Sequence, residues 1–294
     1  MTDNTRSINW YPGHMEKARR QMQENIKIMD MIIEVRDARI PEASANPVLN
    51  EMTTGKPRLI ILSKEDLADP AETEQWVRSL STENCIVLPL DLRDGKDVRK
   101  KIVASSKQLT KKTYEKLKAK GIRNPRPMRA MACGIPNSGK STLINRIFGK
   151  ASLKTADHPG VTKTLSWIHA DPYLDILDTP GVRWPRFHDQ HTAALLALTG
   201  AINDQVLYFK EIAAVLLTTV QAHYPGLLEA AYSFTDIMDP YDILRAAAQC
   251  RHILKENSEP DLDKCAGTVI YEFRRGKLGR ITLEYAEKKE NLSE

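Results

Sequence analysis

Cysteine is scarce in this chain, aromatic residues are few, and no apolar run is long enough to cross a membrane. The four cysteines, Cys85, Cys133, Cys250 and Cys265, form no CxxC pair and have no histidine at zinc-ligand spacing. That argues against a disulfide framework or a zinc site, and for scattered buried thiols in a reducing compartment. The most apolar stretches, Ala193–Ala201 and Ile212–Val220, are about half a membrane span and are bounded by polar residues. Met1–Trp10 is polar, so no secretory leader is expected and a cytoplasmic protein is. Internal repeats and low-complexity tracts are also missing, which sets aside solenoids and disordered arrays.

The 294 residues present suffice for one α/β domain and a smaller appendage. The net charge of +5 is unevenly spread: from Lys96 to Arg129 stand thirteen Lys or Arg against two acids, Asp97 and Glu115. Such a block can bind a polyanion by releasing counterions. It can equally be a solvated helix face followed by a linker, and the block alone leaves both readings open.

Along the chain, Trp10-Tyr11-Pro12-Gly13-His14 opens as a turn, followed by a basic amphipathic helix from about Met15 to Met29. Met31–Val35, Leu59–Leu62 and Cys85–Leu90 are apolar runs of strand length, and Pro70–Leu80 reads as a helix. A helical pattern runs from Lys96 to Lys120 and stops at Gly121. Asn124-Pro125-Arg126-Pro127 then leads into a strand over Met128–Cys133. A helix over Lys140–Phe148 and a ribbon formed by Leu165–Ala170 and Tyr173–Leu177 complete this part. Strands alternating with helices predict an α/β, doubly wound, mostly parallel sheet.

Beyond residue 200 the period becomes helical. Val206, Phe209, Ala213, Leu216 and Val220 follow a cap at Asn203-Asp204. Asp239-Pro240 opens a second helix, with Ile243, Ala247, Cys250 and Leu254 on one face. Cys265, Val269 and Phe273 mark a third, ending near Gly276. The expected organisation is a basic arm and helix over 1–30, an α/β domain over 31–198 and an all-α domain over 199–294.

The chemistry lies in four short segments. Gly134-Ile135-Pro136-Asn137-Ser138-Gly139-Lys140-Ser141 fits GxxxxGK[ST], a loop whose backbone amides cradle phosphates. In it Lys140 reaches the terminal phosphates and the Ser141 hydroxyl binds magnesium, with Asn137, Ser138, Gly139 and Thr142 completing the phosphate-binding set. Thr162, in His158-Pro159-Gly160-Val161-Thr162, can complete the magnesium shell and sense the γ-phosphate. In Asp178-Thr179-Pro180-Gly181 the carboxylate can hold magnesium and the Gly181 amide can bond the γ-phosphate. The fourth segment, Ser63-Lys64-Glu65-Asp66, follows a buried strand. Asp66 can accept from both N1–H and the exocyclic amine of guanine, a donor pair that adenine lacks, while the Lys64 stem can lie over the base. Ser63 stands where such loops usually carry Asn, and it can make only part of that residue's network. The usual Ser-Ala after the last strand is not evident; Pro89-Leu90-Asp91 occupies its place. The guanine-reading loop comes before the phosphate loop, the reverse of the usual order, which points to a circularly permuted GTPase.

With Trp10-Tyr11-Pro12-Gly13-His14-Met15 and Asp37-Ala38-Arg39-Ile40-Pro41 ahead of them, and Phe273–Leu283 behind, these motifs resemble the YlqF/RbgA family of circularly permuted GTPases. The resemblance runs from Trp10 to about Tyr285. It implies a P-loop GTPase domain with a C-terminal all-α RNA-contacting domain, hydrolysing GTP to GDP and phosphate during assembly of the large ribosomal subunit. The implied partners are the large-subunit precursor and its rRNA, with no membrane and no DNA, and the protein is expected as a monomer. Val182 stands where a water-orienting Gln is found in Ras-like enzymes. The resemblance suggests Asn137 as part of a potassium site and His14 as the group that positions or polarises water. For both residues a plain turn role stays open. Lys17, Arg19, Arg20, the Lys96–Lys120 block, Arg274, Arg275, Lys277 and Arg280 are candidate rRNA phosphate contacts. Trp10, Tyr11 and Tyr114 are the few stacking candidates, so RNA shape is the expected target. Two other classes remain open: a metabolic P-loop kinase, and a GTP-dependent switch that docks a protein through its helical tail.

Overall fold

The computed structural model describes residues 23–94, 96–122, 125–148, 166–179, 189–202 and 208–286. Its centre is a six-stranded sheet of order β3-β2-β1-β4-β6-β5. The strands are β1 (Met31–Asp37), β2 (Arg58–Ser63), β3 (Cys85–Leu90), β4 (Met128–Gly134), β5 (Ser166–Asp171) and β6 (Leu174–Asp178). All neighbours run parallel except β5 and β6, which form an antiparallel ribbon. Every residue of β1 is buried, as expected of a central parallel strand with both faces covered. The chain builds outward from β1 through β2 to β3, then returns to place β4 on the other side of β1. That reversal opens a crevice at the carboxyl ends of the strands, where open α/β sheets bind ligands.

The helices are α1 (Pro47–Met52), α2 (Pro70–Leu80), α3 (Val98–Ala119), α4 (Lys140–Phe148), α5 (Gln190–Leu198), α6 (Phe209–His223), α7 (Leu227–Tyr232), α8 (Pro240–Cys250) and α9 (Leu262–Arg274). On one sheet face Met31, Ile33 and Val35 pack with Ile102 of α3 and Leu143, Ile144 and Ile147 of α4. On the other, Ile32, Met131 and Leu177 meet Leu49 of α1, while Ile60 and Leu62 meet Trp76 of α2. A third core joins α5 to α9 and takes in Ile40, Ala43 and Ile135 from the loops at the sheet's carboxyl edge. The Asp-Pro openings act as N-caps: Asp69 accepts from the Ala71 and Glu72 amides, and Asp239 from those of Tyr241 and Asp242. Among the described residues no helix is long and apolar enough to cross a membrane.

Two sequence expectations shift. The cap pair Asn203-Asp204 lies outside the described residues, and α6 starts later, at Phe209, with Tyr208 as its N-cap. Leu254 does not share the buried face of α8, because that helix stops at Cys250 and His252 turns the chain at φ 54°. Leu254 is therefore exposed. The pattern also misses α1, α5 and α7. Helices α1 and α7 are too short to show a period, and α5 is apolar on all sides, burying Ala193 and Leu195–Leu198.

The segment after α9 laces the helical core to the sheet. The Ile281 amide donates to Leu67 O (3.0 Å), the Leu283 amide to Arg39 O (2.8 Å), and Trp76 Nε1 to Glu284 O (3.0 Å). The Glu284 carboxylate accepts from the Glu42 amide at 2.7 Å and the Ala43 amide at 2.8 Å. Burial pushes the Glu284 carboxyl up to about 7, against the pull of those two amides. Between pH 4.5 and 7 the folded chain thus binds more protons here than the unfolded one, and stability falls as pH rises through that window. The full effect is about 3 kcal/mol. Urea titrations from pH 4 to 8 should show this fall, and Glu284→Gln should remove it.

Candidate nucleotide-binding site

The phosphate loop leaves the carboxyl end of β4 and enters α4, so the amides of the first helical turn face the crevice. Its first glycine is required by space. A Cβ on Gly134 would stand 2.7 Å from both Val35 O and Ser138 Oγ. Gly139, at φ +97°, would bring a Cβ within 3.2 Å of the Ser63 side chain. Asn137 also has left-handed backbone, φ 58°, and its Nδ2 donates to Gly200 O at 2.7 Å. Lys140 is buried and its ammonium pairs with the Asp178 carboxylate at the end of β6. Thr179 is tied down by its hydroxyl, which donates to Ala132 O at 2.8 Å. The Ser141 and Thr142 side chains are half-buried at the start of α4.

The base-reading candidate leaves the end of β2, beside the phosphate loop. Buried Ser63 places its hydroxyl within hydrogen-bonding reach of Ser138 O and Arg36 O. Despite its short side chain, Ser63 links the two loops. Lys64 turns through left-handed backbone, φ 57°, and its Nζ donates to Asp37 Oδ2 at 2.7 Å. Burial lowers the Lys64 pKa, opposed by the Asp37 charge. Asp66 sits in a short 3-10 turn, Glu65–Leu67. Its Oδ2 accepts from Arg93, while its Oδ1 is buried with no partner among the described residues. A buried carboxylate oxygen left unbonded calls for a donor. The loop after β3 closes this side: Leu92 lies against Gly139, and Leu92 O accepts from Arg146 Nε at 2.7 Å.

The fold thus brings Ser63, Lys64, Asp66, Asn137, Ser138, Gly139, Lys140, Ser141, Thr142 and Asp178 to one edge of the sheet. His14, Thr162, Gly181 and Val182 lie outside the described residues, as do Trp10, Tyr11, Lys17, Arg19 and Arg20. Sequence reasoning assigned no role to Asp37, Arg39 or Arg93, although Asp37-Ala38-Arg39-Ile40-Pro41 is a visible motif. Among the expected RNA-contacting cations, two have internal work. Arg274 donates to Leu198 O (3.0 Å) and Ala197 O (2.8 Å), and Arg280 to Ala68 O (2.7 Å) and Glu65 O (2.8 Å). Arg275 and Lys277 instead flank the half-exposed Tyr271 ring.

The donor set suits the expected ligands. Orphaned Asp66 Oδ1 matches a guanine N–H, and Gly134 and Gly139 let the phosphate loop lie close against Val35 and Ser63, where a Cβ would not fit without displacement. Ser141 hydroxyl and Asp178 carboxylate are hard oxygen donors of the kind magnesium takes. Gly134→Ala should force Val35 O or Ser138 aside, destabilising the fold by roughly 1–3 kcal/mol and weakening GDP binding at least tenfold. Urea melts and titration with a fluorescent GDP analogue would check both.

A family model described as 50S ribosome-binding GTPase matches residues 129–244. The match begins in β4, immediately before the phosphate loop, and leaves out the guanine-reading segment, as a permuted order requires. The chain is 42% identical over 279 residues to ribosome biogenesis GTPase A of Priestia megaterium, covering 95% of this chain and 96% of that protein. It is 42% identical over 281 residues to the Bacillus cereus protein of the same name, covering 95% and 94%. Among solved structures, a GDP-bound YlqF superposes with a TM-score of 0.63 at 24% identity, over 91% of this chain and 99% of that one. Similarity of this extent, on a permuted sheet with its phosphate loop intact, makes the chain a GTPase that belongs to the ribosome biogenesis GTPase A family.

Proposed function

We propose that this GTPase acts in maturation of the large ribosomal subunit, hydrolysing GTP when the ribosomal particle completes its site. The observation that carries the nucleotide assignment is the orphaned Asp66 Oδ1 beside a phosphate loop whose Gly134 and Gly139 leave no easy room for a Cβ. The ribosomal role rests on the names of relatives that match nearly the whole chain.

In this reading Asp66 accepts from guanine, the Lys64 stem covers the base, and Ser63 ties the base loop to the phosphate loop. The amides of Ser138, Gly139, Lys140, Ser141 and Thr142 cradle the phosphates, and Lys140 exchanges Asp178 for phosphate oxygens as nucleotide enters. Ser141, Thr162 and Asp178 would hold magnesium, and Asn137 a potassium ion; bound there, both neutralise charge on the phosphates. With Nδ2 given to Gly200 O, Asn137 keeps its oxygen as the end that can face a cation. The Gly181 amide bonds the γ-phosphate. Val182 cannot orient water, so His14 takes that task on the particle.

The division into a GTPase domain over 31–198 and a helical RNA-contacting domain over 199–294 belongs to the same reading. Helix α3 supplies a second polyanion surface: Arg99, Lys100, Lys101, Lys107, Lys111, Lys112, Lys116 and Lys118 are all exposed along it. Contacts of this kind position a protein on RNA without reading sequence.

Turnover should be slow alone and rise with large-subunit particles and with potassium. Equal rates in sodium and potassium would remove the ion from the mechanism, and full particle-stimulated turnover in His14→Ala would remove the histidine. Particle binding should weaken steeply between about 50 and 200 mM salt, and replacing Lys111, Lys112 and Lys116 with Gln should flatten that slope. Phosphoryl transfer to a small molecule in place of hydrolysis would mark a kinase.

A further inference from the structure

Asp37 ends β1 opposite Ser63 in the parallel register of β1 and β2, so Lys64 leaves the sheet right after the partner of Asp37. Its carboxylate is nearly fully buried and divided between two cations. Arg39 grips it with both arms, Nε to Oδ1 at 2.9 Å and Nη2 to Oδ2 at 2.8 Å, and its own amide donates to Oδ1 at 3.1 Å. Lys64 Nζ takes Oδ2 as well, at 2.7 Å. The Asp37 amide is fixed in turn by the Ser44 hydroxyl at 3.0 Å, and the Ala38 amide by Ser63 O at 2.8 Å. Arg39 is itself held from the helical side: its guanidinium lies over the Phe273 ring, 5.0 Å from the centroid, and its carbonyl accepts from Leu283. The carboxylate is therefore a rigid anchor, while Lys64 is a flexible four-carbon stem in a loop.

We propose that Asp37, clamped by Arg39, is a positioning residue for guanine recognition: it holds the Lys64 ammonium so that the stem stays extended along the base-binding edge. This rests on the reading of Ser63-Lys64-Glu65-Asp66 as the guanine loop. A free lysine stem loses rotamer entropy on packing against a base, and the Asp37 contact removes much of that freedom in advance. The cations that act on Lys64 are Arg39, which grips the same carboxylate, and Arg274, which donates to the Leu198 and Ala197 carbonyls. Asp37 is the anion that lets Lys64 stay charged among them; burial disfavours the carboxylate charge, but Arg39 and Lys64 together outweigh it and hold its pKa well below the usual range. The ligand class is a guanine nucleotide, and the contribution is to the base end, not to the phosphate end.

The test is a double-mutant cycle on the full chain, with GDP and GTP dissociation constants measured by titration of fluorescent analogues in wild type, Asp37→Asn, Lys64→Met and the double variant. Each single change is expected to weaken GDP about tenfold, the scale of one charge-assisted hydrogen bond. The double variant should bind no more weakly than Lys64→Met alone, and the GTP-to-GDP affinity ratio should stay at its wild-type value throughout. Losses that multiply, or wild-type affinity in Asp37→Asn while Lys64→Met is weakened, would overturn the proposal. Wild-type affinity in Lys64→Met would instead overturn the guanine-loop reading beneath it. Circular dichroism reports folding of each variant. If Asp37→Asn does not fold, Asp37→Glu keeps the anion beside Arg39 but displaces it by a methylene, and the same cycle with Lys64→Met carries the same criteria.

Discussion

The carboxylate of Asp37 lies out of water at the end of the central strand, and its ionised form survives only because Arg39 and Lys64 close around it. Losing the carboxylate would leave the Arg39 guanidinium buried without its charge partner, a change that typically costs about 3–5 kcal/mol. This one arrangement sets much else. It sits where β1 and β2 end in register, it ties down the first turn of the base-reading loop through Lys64, and its Arg39 packs on Phe273 of α9.

The helical region is packed against the nucleotide loops and is hydrogen-bonded to them. Asn137 of the phosphate loop and Arg274 of α9 both bind carbonyls at the carboxyl end of α5, at Gly200 and at Ala197 and Leu198. Arg280 caps the turn that carries Asp66 through Glu65 O and Ala68 O, and Gly276 comes so close to Leu67 that a Cβ would stand 2.8 Å from it. Both nucleotide loops are thus tied to the helices by hydrogen bonds and direct packing. The apolar core from α5 to α9 reaches the same loops through Ile40, Ala43 and Ile135.

The strands were legible because buried parallel strands are continuous apolar runs, and Met31–Val35, Leu59–Leu62, Cys85–Leu90 and Met128–Cys133 each stand inside an observed strand. Helix α2 matched its expected bounds at Pro70 and Leu80, where Asp69 and Pro70 announce the start. Helix α5 escaped notice because a helix buried on all sides has no amphipathic period. In the nucleotide site, the motifs were legible wherever backbone geometry demands a particular residue, as at Gly134 and Gly139. Asp37 and Arg39 stood in plain view as a motif, but nothing in their spacing says that Lys64, far along the chain, completes their charge balance. Arg274 and Arg280 looked like free surface cations for the same reason, since main-chain carbonyls leave no mark in a sequence.

Composition, periodicity and the order of short motifs were enough for the fold class, the permuted GTPase and the nucleotide it takes. These properties depend on residue type and local backbone, which a sequence writes out directly. Which cations face solvent, which carbonyl holds Asn137, and which carboxylate holds Lys64 depended on the packing of α9 and the chain after it against the sheet edge. Those pairings join residues far apart in sequence, and their strength comes from a burial that exists only once the chain has closed on itself.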